Sequence, residues 1–167
     1  AAIALGQTPQ FDKVAISGIR DVSAVDFAYA KQLGFRIKLV GTAEPGRMPR
    51  MQTCLLPMST QLAKVDGVLN AVEFDADPVG SVVLTGPGAG SGATSSAVLS
   101  DLVDLACDRI PFTFGRPVAA LADGSAVENG GGPDTPFYVR LMVVDKPGVL
   151  ADITSVLQIH DISVESM

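Results

Sequence analysis

The sequence predicts an α+β fold: a mixed sheet with helices on one face, followed by a linker and an incomplete β-α-β unit. Three observations predict it. Residues 13–108 interleave short apolar runs of strand length with two segments of helical period. Residues 109–136 lose all periodicity and gather Pro111, Pro117, Pro133 and Pro136 around Gly130-Gly131-Gly132. Residues 137–167 read as strand, helix and the start of another strand, and then stop. That last piece is shorter than the roughly 40 residues an unstapled fold needs to stand alone.

The elements follow in order. Ala1–Gly6 reads as the last turns of a helix, stopped at Gly6 and released by Pro9. Lys13–Ile16 is a short strand, and Ser17-Gly18-Ile19 a turn. Ser23 is placed to cap a helix, with Asp26 in its acidic first turn. Val25, Ala28, Tyr29 and Leu33 give that helix an apolar stripe, and Gly34 ends it. Arg36–Val40 alternates charged with apolar residues, the pattern of a half-buried strand. Glu44–Arg47 is a turn, Met51–Pro57 a strand, and Thr60–Val65 a short polar helix or loop. Val68–Phe74 and Val79–Thr85 form two strands joined as a hairpin through Asp75–Pro78, because the residue before proline is pushed out of helix. A glycine-rich run from Gly86 to Thr94 leads into a helix over Thr94–Cys107, with Val98, Leu102, Leu105 and Ala106 on one face. After the linker come a strand over Phe137–Val144, a turn Asp145–Gly148, a helix from Val149 to about Ile159 and a strand starting at Asp161.

Composition narrows the function. The chain has 167 residues with 18 acidic and 12 basic side chains, a formal net charge of −6. This balance argues against nucleic acid or an anionic membrane as partner. Hydrophobic residues make up 47% of the chain, which excludes general disorder. No apolar run reaches the roughly 18 residues of a membrane-spanning helix. Cys54 and Cys107 lie far apart and read as buried or free thiols of a reducing, cytoplasmic compartment. A single imidazole, His160, leaves no pair for a two-histidine metal site within one chain. The chain opens at Ala1 without Met or a charged leader, so a piece of a longer protein is expected.

The best chemical signal is the loop Gly86, Gly88, Gly90. Glycines let backbone N–H groups approach a phosphate, and the helix behind adds a favourable partial charge. The run is neither a dinucleotide fingerprint nor a P-loop, so a tight strand-to-helix turn stands beside the ligand reading. The remaining constellations have plain readings. Asp101, Asp104 and Asp108 form a solvated helix face, and no metal site is expected. Arg36 and Lys38 line a solvated strand face. Asp21 and Asp26, near Lys31 and Lys38, serve capping and surface pairing. His160 caps helix carbonyls, and the methionines fill core.

Together these residues resemble a known family. Ser17-Gly18-Ile19 through Asp26, followed by Ala30-Lys31-Gln32-Leu33-Gly34-Phe35-Arg36-Ile37-Lys38-Leu39, is similar to a stretch of the substrate and dimerisation domain of homoserine dehydrogenases. Asp66-Gly67-Val68-Leu69-Asn70-Ala71-Val72 and the run Gly86 to Leu102 resemble two further motifs of that family in the same order. Ser17 departs from the pattern, where relatives often carry Glu. Phe137–Leu141 and Asp145–Ile153 look like the opening of an ACT domain, a ferredoxin-like βαββαβ module.

The resemblance implies an oxidoreductase interconverting L-aspartate 4-semialdehyde and L-homoserine with NADP or NAD, in threonine, methionine and isoleucine biosynthesis. It implies that Gly86, Gly88 and Gly90 meet the nicotinamide cofactor and that Asp145 and Gly148 sit where an amino-acid effector such as threonine docks. It implies a homo-oligomer, paired through residues 1–108 and in addition through the ACT parts. No residue matches the family's proton-transferring Lys or its acidic substrate ligand, so no catalytic residue is assigned and the chain alone is expected to be inactive. A non-catalytic amino-acid-binding regulatory module and a purely structural dimerisation piece are the alternatives.

Overall fold

The computed structural model describes residues 2–8, 10–122 and 136–164. The chain divides into two compact units, Ala1–Thr135 and Pro136–Met167.

The first unit opens with a short helix α1, Ala2–Leu5, and Gly6 ends it with φ +65°. A 3-10 turn at Phe11–Lys13 precedes β1, Ala15–Ile16. Helix α2 spans Ala24–Gln32, and Gly34 closes it with φ +83°. Two eight-residue strands follow, β2 at Phe35–Thr42 and β3 at Arg50–Pro57. They run antiparallel, with Phe35 opposite Pro57 and Thr42 opposite Arg50, while β1 lies parallel to β3. The sheet order is β1-β3-β2, a mixed sheet whose edge strand β2 packs against α2.

The expected single sheet is in fact two. Strands β4, Leu69–Ala76, and β5, Gly80–Pro87, form a separate antiparallel hairpin. Its register places Asn70 opposite Gly86, Val72 opposite Leu84 and Phe74 opposite Val82. Directly opposed residues share a face. One face therefore carries Val72, Phe74, Val82 and Leu84, and the other is mixed, with Glu73, Asp75, Ser81 and Thr85 beside Leu69, Ala71 and Val83. Helix α3 covers Ser91–Ala106 and begins three residues earlier than the sequence predicts, inside the glycine run. Gly92 and Ala93 thus belong to its first turn.

The stretch read as linker is partly tied down. Val118–Ala120 forms a 3-10 turn. Beyond it, Ala122 N–H donates to Gly6 O at 2.8 Å, and Thr8 N–H donates to Ala122 O at 2.9 Å. These bonds join residues more than a hundred positions apart, a pairing local composition does not encode. Residues 123–135 of the expected linker lie outside the described residues.

Burial departs from expectation in an informative way. Among the described residues the buried ones are Ala2, Gly6, Ala30, Ala63 and Asp26, and no large side chain is fully enclosed. Helix α2 turns Asp26 and Ala30, four residues apart, inward, while Val25, Tyr29 and Leu33 stay open. Helix α3 buries nothing, leaving Val98, Leu102 and Leu105 exposed. Met51 and Met142 are also exposed rather than core.

In the second unit, α4 spans Val149–Ile159 as expected, with Gly148 at its N-cap in the left-handed region, φ +95°. The expected strand over Phe137–Val144 joins no ladder, and residues 161–164 form none either. A strand exists by virtue of a hydrogen-bonded neighbour, and the described part of this unit supplies none. Residues 165–167 of the expected last strand lie outside the described residues. The ferredoxin-like β-α-β unit is thus represented here by its helix alone.

Candidate functional site

The glycine loop is built by the hairpin and α3. Strand β5 delivers Gly86, the chain turns through Pro87-Gly88-Ala89, and Gly90 is the N-cap of α3. Gly88 N–H donates to Val68 O at 2.7 Å, which pins the loop to the start of β4.

The three glycines differ in what surrounds them. Gly90 has φ +117° and ψ 152°, a conformation closed to residues with a Cβ, and no atom lies within 4 Å of where its Cβ would be. Gly86 also faces open space. Gly88 is different: a Cβ there would stand 2.5 Å from Asn70 Cγ and 2.8 Å from Asn70 Oδ1. The side chain of Asn70 already occupies that volume. The first turn of α3 carries no acidic side chain and no side-chain cap. Its leading N–H groups, unpaired by helix geometry, therefore point past Gly90 with the positive end of the helix dipole behind them.

A second cluster lies at the edge strand β2. Asp66 accepts from Arg36 Nη1 at 2.5 Å and from Lys38 Nζ at 2.9 Å, and Lys38 also donates to Val65 O. The hydrogen bond from Lys38, then that from Arg36, holds the Asp66 carboxyl below its ordinary value. Phe27, Lys31, Phe35 and Met58 join these residues around an open hollow of about 350 Å3. Arg36 and Lys38 are thus not simply a solvated face; Asp66 clamps both. Asp66 sits 28 residues from Lys38, a separation that hides the pairing from a local reading.

The other sequence candidates resolve individually. Asp26 accepts from both N–H and Oγ–H of Ser23 at 2.7 Å, so it is a cap and not an acid–base group. Asp104 pairs with Arg109 at 3.3 Å. Among the described residues no group of three His, Cys, Asp or Glu side chains could hold a metal. His160 closes α4 through its backbone N–H, which donates to Leu157 O at 3.2 Å. In the second unit Asp145 is exposed, and Gly148 has open space where a Cβ would be. No helix among the described residues is long and apolar enough to cross a membrane.

The comparisons with known proteins agree with this layout. The family profile for homoserine dehydrogenase matches residues 1–103, from the first helix almost to the end of α3. The chain belongs to the homoserine dehydrogenase family. It is 37% identical to a homoserine dehydrogenase of Pseudomonas aeruginosa, covering all of this chain and 40% of the relative. A homoserine dehydrogenase of Neisseria gonorrhoeae is 33% identical over the same shares. The crystal structure of a homoserine dehydrogenase from Thiobacillus denitrificans superposes with TM-score 0.68 at 36% identity, covering 99% of this chain and 40% of that one. The chain therefore spans about 40% of the length of the curated homoserine dehydrogenases it matches. The family is one of oxidoreductases, and the glycine loop lies within the matched segment.

Proposed function

We propose that this chain is the substrate-side and dimerisation segment of an NAD(P)-dependent homoserine dehydrogenase, catalytically incomplete by itself. The observation that carries the proposal is the loop Gly86–Gly90, inside the matched family segment, with an open backbone face at Gly90 and the N-terminus of α3 behind it.

The loop fits a dinucleotide. Anionic and amide groups of such a ligand need backbone donors at close range and no intervening side chain. Gly86 and Gly90 offer open backbone, and α3 offers its first-turn N–H groups. When bound, the nicotinamide supplies the hydride chemistry between the semialdehyde and the alcohol. This chain's part is to close one wall over the cofactor, keep water from it and hold it by main-chain contacts. No side chain here matches the family's proton-transferring Lys, so we place the proton transfer on a segment outside these residues.

Pairing is the second part of the proposal. A hairpin whose Val72, Phe74, Val82 and Leu84 share one face, with the charged Glu73 and Asp75 on the other, is built to be covered on the first. Val72, Phe74 and Leu84 are 53%, 40% and 59% exposed on that side, as is the open stripe of α3. A homodimer through this face is the reading they support. For residues 136–164 we propose the opening of a regulatory ACT module, with the turn Asp145–Gly148 as the amino-acid docking point. Its support is the left-handed Gly148 in open space at the start of α4.

The test is cofactor binding by the intact gene product with Gly90→Val. Valine is excluded from the Gly90 conformation and fills the open face. The substitution is expected to weaken NADPH binding measured by fluorescence, with the far-ultraviolet circular dichroism unchanged. Unchanged affinity in a folded variant would remove the loop from the cofactor site.

A further inference from the structure

We propose that Asn70 is a positioning residue for the glycine loop: its side chain is the spacer on which Gly88 rests, and it sets the loop at the height where Gly90 meets the cofactor. The inference rests on the cofactor reading of the loop given above.

Asn70 lies on β4 directly opposite Gly86 of β5. The two share a face, so the Asn70 side chain rises beside the strand that feeds the loop. Gly86 has no side chain to meet it and leaves the space open. The carboxamide instead reaches the backbone of Gly88, two residues further on, and fills the volume of the missing Cβ. A Cβ at 88 would stand under 3.0 Å from that carboxamide, so with glycine there the Asn70 side chain keeps this position, and any larger residue displaces it, although the φ of Gly88 is ordinary.

The loop has few other supports on this side. One hydrogen bond, Gly88 N–H to Val68 O, ties it to the base of β4. The Asn70 side chain makes no hydrogen bond among the described residues. It therefore works by shape, and a side chain of equal volume can replace it. If the spacer is shortened, the loop settles toward β4, and Gly90 with the first N–H groups of α3 moves away from the ligand. A displacement of about 1 Å at such a contact is enough to cost substantial binding.

The experiment compares variants of the intact gene product by steady-state kinetics, separately varying NADPH and L-aspartate 4-semialdehyde. Asn70→Ala is expected to raise KM for NADPH about fivefold or more while KM for the semialdehyde stays within about twofold. Asn70→Leu, similar in volume and branched at Cγ, is expected to restore the cofactor KM. Gly88→Ala is expected to raise it as well, because the new methyl collides with Asn70. Combining Asn70→Ala with Gly88→Ala is expected to recover most of the loss, since the methyl then occupies the vacated space. Equal changes in both KM values, no change at all, or simple additivity in the double variant would overturn the proposal. Gly90→Val separates the two levels. If it raises the NADPH KM and Asn70→Ala does not, the spacer role alone fails. If Gly90→Val has no effect, the cofactor reading fails and the spacer proposal with it.

Discussion

The carboxylate of Asp26 receives two hydrogen bonds from one residue, from the backbone N–H and the Oγ–H of Ser23, both at 2.7 Å. Asp26 is also the one buried charged side chain among the described residues, 5% exposed. A carboxylate is buried only when its oxygens are satisfied. This cap fixes where α2 starts, and hence how the helix that buries Ala30 packs on β2.

Removing the cap should loosen α2. Ser23→Ala is expected to cost about 1 kcal/mol, which for a chain of this size lowers Tm by about 2–4 °C. Asp26→Ala should cost more, because it frees two donors at once. Thermal unfolding followed by circular dichroism measures both; a shift under about 1 °C for Asp26→Ala would show that the cap does not carry the helix.

Asp66 gives a pH signature. Its folded carboxyl lies below the ordinary carboxylate value because Lys38 and Arg36 hydrogen-bond it. A group lowered on folding contributes stability that is fully present above the unfolded value and lost as pH falls through the folded value. The stability gap between the wild-type chain and Asp66→Asn should therefore be constant above about pH 5 and close below the unfolded value near 3.8. The cluster is exposed, so the gap should be small and shrink further in salt. Urea unfolding across that range, or carboxyl titration by NMR, checks the sign. A gap that widened toward acid would contradict it.

The two faces of the hairpin make opposite predictions. Phe74→Glu or Leu84→Arg places a charge on the apolar face and should convert a dimer to monomer at micromolar concentration. Thr85→Arg, on the mixed face, should leave the mass unchanged. Sedimentation velocity reads both. A wild-type chain that is already monomeric there, or equal behaviour of the two faces, would count against pairing through this surface.

Much of this architecture is legible locally. Helix α2 announces itself through Ser23, Asp26 and Gly34, and α4 through Gly148 and its apolar period. Strands β2 to β5 appear where alternation or β-branched runs place them, within one or two residues at most ends. The start of α3 is missed by three residues because Gly92 and Ala93 resemble loop in composition yet take the helical path opened by Gly90. What the sequence conceals is mostly long-range. The strand over Phe137–Val144 has the right residues and no described ladder. The stripe Val25–Tyr29–Leu33 has the right period and stays exposed, because α2 buries Asp26 and Ala30 instead. Asp66 bridging Arg36 and Lys38, Asn70 filling the space over Gly88, and Ala122 returning to Gly6 and Thr8 are contacts between distant positions. The glycine loop itself is visible; the contact at Gly88 and the backbone conformation of Gly90 are not.

The central claim is that these residues form one wall of a homoserine dehydrogenase and leave the chemistry to a segment they do not contain. Its most direct test is oxidation of NADPH in the presence of L-aspartate 4-semialdehyde, measured at 340 nm for the 167-residue chain and for the intact gene product side by side. The account predicts turnover by the intact product and none by the chain alone. Turnover by the isolated chain, or none by the intact product, would contradict it.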